Sequence, residues 1–385
     1  MRARTVLRMA LSCGSPVTML DSIDFPALRG VGLTQAVLAQ LFHLRAEPGD
    51  RLMRITEVQR DRLRLHDGHA DTVAALWPTL RIALQMGDER LVVGDWVLVR
   101  PPVAGDDSAW VVARVPPVTH LVRRDESGQR QPLVSNVDTA LLVMGAGADF
   151  NLRRLDRYLA LVRLAGIEPV VVLSQADLCG DIPARVQAVH AHLGGEAGAS
   201  VAVLALDGRD ASAATALAPW LVPGRTLVLL GSSGAGKSTL TNTLTGATGD
   251  DAQATGGVRK GDGRGRHTTT VRSLHRCLGG ACIIDTPGLR GLQLDADEAQ
   301  LDAVFEDIAS LAGHCRFRDC RHEDEPGCAV RDAVPAGRLL SYQKLQREAR
   351  RHEMTLLDRQ RQMAEWKARS RGAKAVDRAK RGHIG

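Results

Sequence analysis

The chain has no run of about eighteen apolar residues, the length that a helix needs to cross a bilayer, so no membrane span is expected in its 385 residues. It also lacks the even cysteine count of a secreted disulfide framework. There are seven cysteines, and three crowd between Cys315 and Cys328. That is metal-ligand spacing in a reducing compartment, and a cytoplasmic location is expected. No secretory leader is expected: M-R-A-R-T-V-L-R-M-A-L-S-C-G faintly resembles one, but its apolar part is too short and is interrupted by Arg8. Residues 1–44 are read as a partly disordered lead, with Met19 as an alternative start. Aromatic residues make up only 3% of the chain. Between residues 45 and 120 they are Trp77, Trp96 and Trp110 alone, read as core side chains rather than a stacking surface for bases. No internal repeat is present.

What is present is a globular composition, 44% hydrophobic with mixed charge, in a chain long enough for two or three domains. The net charge of +6 is uneven: from Ser341 to Gly385 there are 13 Lys/Arg against 5 Asp/Glu, a net of +8, which leaves about −2 elsewhere. One basic tail thus carries the excess, and it points to a polyanionic partner. Residues 45–120 read as short alternating strands, R-L-M-R-I-T-E-V, D-R-L-R-L-H-D-G, G-D-W-V-L-V-R and A-W-V-V-A-R-V, and predict a small OB-like barrel. From Asn136 strands alternate with amphipathic helices, which predicts a mainly parallel sheet covered by helices over residues 121–294. Residues 295–385 read as helical, interrupted by the cysteine cluster.

G-S-S-G-A-G-K-S follows a strand and opens a helix, the context that makes it a phosphate loop. Gly231, Ser232, Ser233, Gly234, Ala235 and Gly236 would curl their N–H groups around phosphates. Lys237 would reach the β/γ-phosphates, Ser238 would ligate Mg²⁺, and Thr239 follows in the first helical turn. D-T-P-G, from Asp285 to Gly288, ends the next clear strand. Asp285 there can hold Mg²⁺ through its water shell, and the Gly288 N–H can contact the γ-phosphate. The glycine-rich stretch G-D-G-R-G-R-H-T-T-T between them suits a switch in which Thr268 or Thr269 closes over Mg²⁺ and phosphate.

The tip S-Q-A-D (Ser174, Gln175, Ala176, Asp177) ends a buried strand in the manner of the Asn/Thr-Lys-x-Asp guanine reader, yet it lies 54 residues before the phosphate loop. In a parallel sheet, neighbours in space need not keep their order in sequence, and a circular permutation would bring the tips together. Finally, Cys315-x4-Cys320-x-His322-x5-Cys328 offers three thiolates and one imidazole, the donor set of a closed tetrahedral Zn²⁺ site. His314 is a lesser competitor.

Guanine reader, phosphate loop, threonine-rich switch and D-T-P-G, in this order, resemble the circularly permuted GTPases. With G-D-W-V-L-V, S-N-V-D, D-F-N-L-R-R-L-D-R-Y-L and the Cys/His cluster, the chain resembles the RsgA/YjeQ branch, the ribosome small-subunit-dependent GTPases. The resemblance implies an OB barrel, a permuted GTPase domain and a C-terminal zinc domain. It implies GTP, Mg²⁺ and one Zn²⁺ on the same four ligands, and the small subunit with its rRNA as partner, with the chain acting as a monomer in late subunit maturation. This sequence departs from the family at Gln175, which replaces the Lys, and at Ala205–Gly208, where A-L-D-G stands for a second base-contacting turn. Leu289 follows D-T-P-G and cannot orient water, so slow intrinsic hydrolysis stimulated by the subunit is expected, with His267 as the candidate water-orienting group. An ATP-using phosphate-loop enzyme and a nucleotide-switched RNA-binding module with little catalysis are the alternatives.

Overall fold

The computed structural model describes residues 23–59, 62–102, 108–125, 128–193, 201–248, 272–286 and 293–353. Five strands form the barrel: β1 (Arg51–Gln59), β2 (Arg62–His66), β3 (Asp71–Leu76), β4 (Trp96–Arg100) and β5 (Ala109–Arg114). Their order is β1-β2-β3-β5-β4, closed by pairing of β4 back onto β1, with β3 and β5 parallel. A helix, Pro78–Met86, bridges β3 to β4. This is the OB arrangement. Alternate residues point inward, so Met53, Ile55, Leu65, Val97 and Val111 fill the interior.

The lead is more structured than its composition suggests. Within it α1 (Phe25–Arg29) and α2 (Gln35–Leu41) are capped by the Asp24 and Thr34 side chains. Leu28, Val31, Val37 and Leu41 pack on Leu52, Trp96, Leu98 and Val115, the outward faces of β1 and β4. Residues 23–44 are therefore a layer of the barrel domain rather than an unstructured lead; only the tertiary contact reveals it, because neither helix is long enough to stand alone.

The sheet of the central region contains β8 (Thr139–Gly145), β9 (Glu168–Ser174), β10 (Ala202–Ala205), β11 (Thr226–Gly231), β12 (Ser273–Arg276) and β13 (Cys282–Asp285). Its order is β10-β9-β8-β11-β13-β12, parallel except for β12. The three strands that come first in sequence thus lie to one side of β11, which is what a permuted chain order requires. Leu142, Val171, Leu173 and Val228 face one layer, while Leu141, Val143, Val170 and Leu229 face the other. Both faces are covered, hence the continuous apolar runs. β6 (His120–Arg124) and β7 (Arg130–Ser135) form a small sheet with β14 (Gln293–Leu294). A domain boundary at residue 120 would therefore cut into β6.

The C-terminal helices Glu298–Val304, Glu306–Ala312, Ala329–Ala333 and Ala336–Glu353 bury Leu301, Phe305, Ile308, Val330 and Tyr342 in the core shared with the Leu152–Leu164 helix.

The barrel and the central sheet are continuous: β1 pairs with β12 through Glu57 and Ser273. Arg54 reinforces this seam. It is fully buried, and its guanidinium donates to the Val31 carbonyl (2.6 Å), the Thr226 hydroxyl (2.7 Å), the Asn136 carbonyl (2.8 Å) and the Gly94 carbonyl (3.4 Å). It lies 5.4 Å from the Trp96 ring centroid. Gly32 has to be glycine here: its φ is +91° and a Cβ would sit 1.9 Å from the Arg54 Nη1. Arg54→Met keeps much of the volume but strips these acceptors of their donor. We expect a loss of about 3 kcal/mol in stability, read as a lower denaturant midpoint; an unchanged midpoint would show that the seam does not depend on this side chain.

Candidate functional site

Because β8, β9, β10, β11 and β13 run parallel, their C-terminal tips open onto one edge of the sheet, where open α/β folds bind ligands. Gly231 ends β11, and a Cβ there would lie 2.3 Å from the Val143 carbonyl of β8, so only glycine permits this strand spacing. Gly234 and Gly236 have φ of +84° and +85°. They turn the loop so that the Lys237–Thr245 helix starts directly behind it, and the N–H groups of that first turn are the ones a phosphate would meet.

Lys237 is buried. Its Nζ donates to the Gly231 carbonyl (3.1 Å) and the Ser232 carbonyl (2.8 Å). Burial pushes its pKa below the ordinary lysine value, against the opposing pull of Asp285 and Asp149. The Ser238 hydroxyl donates to Asp285 Oδ2 at 3.1 Å, which brings two hard oxygen donors, one from the Lys237–Thr245 helix and one from β13, side by side. That is a fitting pair for Mg²⁺, which prefers oxygen ligands and keeps several waters. Thr286 fixes the end of β13 by donating to the Leu229 carbonyl at 2.6 Å.

The S-Q-A-D tip lies beside this loop. The Ser174 hydroxyl donates to the Ala235 carbonyl at 2.7 Å, and the Gln175 amide donates to the Gly234 carbonyl at 3.2 Å. Gln175 thus spends its donor on the phosphate loop, with its backbone left-handed at φ +57°. Ala176 starts a short 3-10 turn, and its N–H donates to the Leu206 carbonyl (3.4 Å). The A-L-D-G turn is therefore adjacent, and its Gly208 carbonyl accepts from the Thr243 hydroxyl of the helix behind the loop at 2.6 Å. Asp177 receives Arg209, whose Nη2 lies 2.6 Å from its Oδ2; the same guanidinium grips Asp207 through Nη2 (3.0 Å) and Nε (3.1 Å). Hydrogen bonding to Asp207, then the charges of Asp207 and Asp177, hold the Arg209 pKa above the ordinary arginine value.

Ser174, Gln175, Ala176, Asp177, Gly231 to Thr239 and Asp285 therefore lie on neighbouring tips of one sheet edge. Gly288, Leu289, His267, Thr268 and Thr269 lie outside the described residues. Two participants escaped the sequence reading. Asp149, in the loop after β8, accepts the Ser232 hydroxyl (2.7 Å) and the Gly145 N–H (3.2 Å), and pairs with Arg154 at 2.6 Å. Its D-F-N setting was visible, but its contact with the phosphate loop is a matter of strand order. Arg209, directly after A-L-D-G, is the other.

A second cluster lies in the C-terminal helical region. The donor atoms of Cys315, Cys320, His322 and Cys328 are all within 4.8 Å of one another. His322 Nδ1 is 3.6 Å from Cys315 Sγ and 3.4 Å from Cys328 Sγ. Tetrahedral zinc bonds of about 2.3 Å to sulfur and about 2.0 Å to nitrogen would separate such atoms by about 3.5 Å, so the four residues fit the ion. His322 adopts φ +59°, and its carbonyl accepts from Gln343 at 2.8 Å. His314 turns its Nδ1 to the Ser310 carbonyl (3.1 Å) and is not among the four.

Comparison with known proteins decides the family. The chain is 38% identical over 379 residues, 93% of its length and 98% of the other, to the small ribosomal subunit biogenesis GTPase RsgA of Xanthomonas axonopodis pv. citri. A family model described as RsgA GTPase matches residues 115–295. The chain belongs to the RsgA GTPase family. Another relative, the protein of the same name from Xylella fastidiosa strain 9a5c, is 50% identical over 254 residues, 65% of this chain and 70% of that one. The fold agrees with solved members. YjeQ from Thermotoga maritima superposes with a TM-score of 0.56 at 21% identity, covering 78% of this chain and 98% of that one. YloQ, described as a circularly permuted GTPase, gives 0.55 at 23% identity over 81% and 100%. The activity of the family is GTP hydrolysis, and among the described residues no helix is long and apolar enough to cross a membrane.

If the loop holds the phosphates as its geometry allows, Lys237→Ala and Ser238→Ala should each lower GTP turnover by about two orders of magnitude or more, with secondary structure retained by circular dichroism. Turnover near wild type in either variant would reject the assignment.

Proposed function

We propose that this chain is a GTP hydrolase of the small ribosomal subunit, binding the subunit and its rRNA during late maturation and timing its own departure by hydrolysis. The observation that carries the reading is the adjacency of three tips: the phosphate loop, Asp285 beside Ser238, and the S-Q-A-D turn tied to the loop by Ser174 and Gln175. In this reading Gly231 to Thr239 cradle the phosphates and Lys237 neutralises the β/γ oxygens. Ser238 and Asp285, joined by Thr268, would hold Mg²⁺, which would offset charge on the phosphate oxygens. Thr269 and the Gly288 N–H face the γ-phosphate. Asp177 reads guanine, since its two carboxylate oxygens match the N1–H and 2-amino donors of that base, whereas adenine presents an acceptor at N1. Leu289 offers no hydrogen bond to water, so His267 is the group that orients the nucleophile.

Zinc in the Cys315, Cys320, His322 and Cys328 cluster is structural, because four protein ligands leave no open position. It would fix the loop between the Glu306–Ala312 and Ala329–Ala333 helices, and the basic residues from Ser341 to Gly385 would supply phosphate contacts to rRNA. The chain acts as a monomer in the cytoplasm.

The decisive experiment measures hydrolysis of GTP and of ATP, each with and without purified small subunits. Slow GTP turnover that rises with subunits, and little ATP turnover at any point, is the expected result. Comparable ATP turnover would favour an ATP-using enzyme, and no stimulated turnover would favour a nucleotide-switched RNA-binding module. For the metal, purified protein should carry about one zinc per chain. Cys320→Ser should lose it and unfold the C-terminal region at lower temperature, since ligand binding there is folding energy. Metal-free protein with an intact C-terminal melting transition would refute the site.

A further inference from the structure

Between the S-Q-A-D and A-L-D-G turns stands one cation, Arg209, on two carboxylates. We propose that Arg209 competes with the guanine base for Asp177, so that guanine nucleotides bind against a resident guanidinium. The inference rests on the reading of Asp177 as the guanine reader.

A carboxylate that reads guanine uses one oxygen for N1–H and the other for the 2-amino group. In this structure Oδ2 is already engaged by Arg209 Nη2 at 2.6 Å. That bond takes one lone-pair position on the oxygen and part of the charge that the base would meet. The contact with Asp177 is a single hydrogen bond, whereas Asp207 is held by both Nε and Nη2. Asp207 is therefore the anchor, and the Asp177 contact is the part that yields. The Arg209 side chain is 66% exposed, so it can swing aside without disturbing the core.

Gln175 completes the arrangement. A lysine at that position would set a second positive charge near Arg209. The neutral amide points instead to the Gly234 carbonyl and leaves the guanidinium unopposed. The departure at Gln175 and the presence of Arg209 are thus two sides of one local charge pattern.

An exposed pair of this kind is worth little, and the effect is correspondingly small. Arg209→Ala should tighten GDP and GTP by about two- to five-fold, and by the same factor for each, because both carry the same base. ADP binding should not move. The gain should shrink as salt is raised, since the competing pair is screened, and Arg209→Lys should retain most of the competition. The measurement is equilibrium titration of the full chain with fluorescent GDP and ADP, for wild type, Arg209→Ala, Arg209→Lys, Asp177→Ala and the Arg209→Ala/Asp177→Ala double variant. In the Asp177→Ala background, removing Arg209 should leave GDP affinity unchanged, which a merely structural role of Arg209 would not produce. Weaker or unchanged GDP binding in Arg209→Ala overturns the inference, as does a gain that survives without Asp177. If Asp177→Ala weakens GDP while Arg209→Ala does nothing, the guanine reader stands and only the competition fails. If Asp177→Ala leaves GDP untouched, the reading of Asp177 fails and the competition with it.

Discussion

A buried, hydrogen-bonded arginine holds the molecule's parts in register. The Arg54 guanidinium has left water completely, a cost that only well-placed partners offset. Those partners come from four places in the chain: Val31 after the first helix, Gly94 before β4, Asn136 before β8, and Thr226 at the first position of β11. Burial lowers the Arg54 pKa, while the nearby Cys282, Asp138 and Asp95 act to raise it. The consequence reaches the active edge. β11 carries the G-S-S-G-A-G-K-S loop at its other end, so the strand that receives Arg54 from the barrel also leads to that loop. Asp138 adds to the same junction by accepting the Thr226 N–H at 2.7 Å.

The nucleotide edge follows from strand order more than from any single residue. β11 lies between β8 and β13, so the loop after β8 supplies Asp149 to one side of the phosphate loop, and β13 supplies Asp285 to the other. β9 and β10 stand beyond β8 and bring the base-side turns together. A parallel sheet makes this insensitive to where the chain begins, because tips converge by position in the sheet and not by position in sequence. That is why the S-Q-A-D tip can lie upstream of the G-S-S-G-A-G-K-S loop in sequence and still stand beside it.

On the far face, the C-terminal helices are joined to the central domain by a buried polar chain. Asp156 receives His192 at 2.8 Å and Arg338 at 3.2 Å, and Arg338 continues to Asp307 through two bonds of 2.7 and 2.8 Å. Arg157 adds a two-pronged pair with Glu348. Both arginine pairings are forked, the geometry in which guanidinium and carboxylate satisfy one another best. They tie the helix after β8, whose loop touches the phosphate site, to the helix that follows the Cys/His cluster.

The sequence by itself determined the parts whose chemistry is contiguous. G-S-S-G-A-G-K-S, the Cys/His spacing and the switch from alternating strands to strand–helix units each lie in a short window, where local geometry and hydrophobic period decide the outcome. The barrel, the parallel sheet and the C-terminal helices were legible for that reason. The tertiary structure alone decided what depends on distance. Arg54 and Thr226 are 172 residues apart, and nothing near either one names the other. The helices of residues 23–44 are too short to declare themselves and exist because Trp96 and Leu98 offer a surface. D-T-V-A-A-L became β3 because β2 and β5 flank it. At the nucleotide edge, Asp177 was visible as a motif, but Arg209 is just an arginine after a turn until β9 and β10 pair. Long-range register is fixed by packing across the whole sheet, and a window of residues carries no record of it.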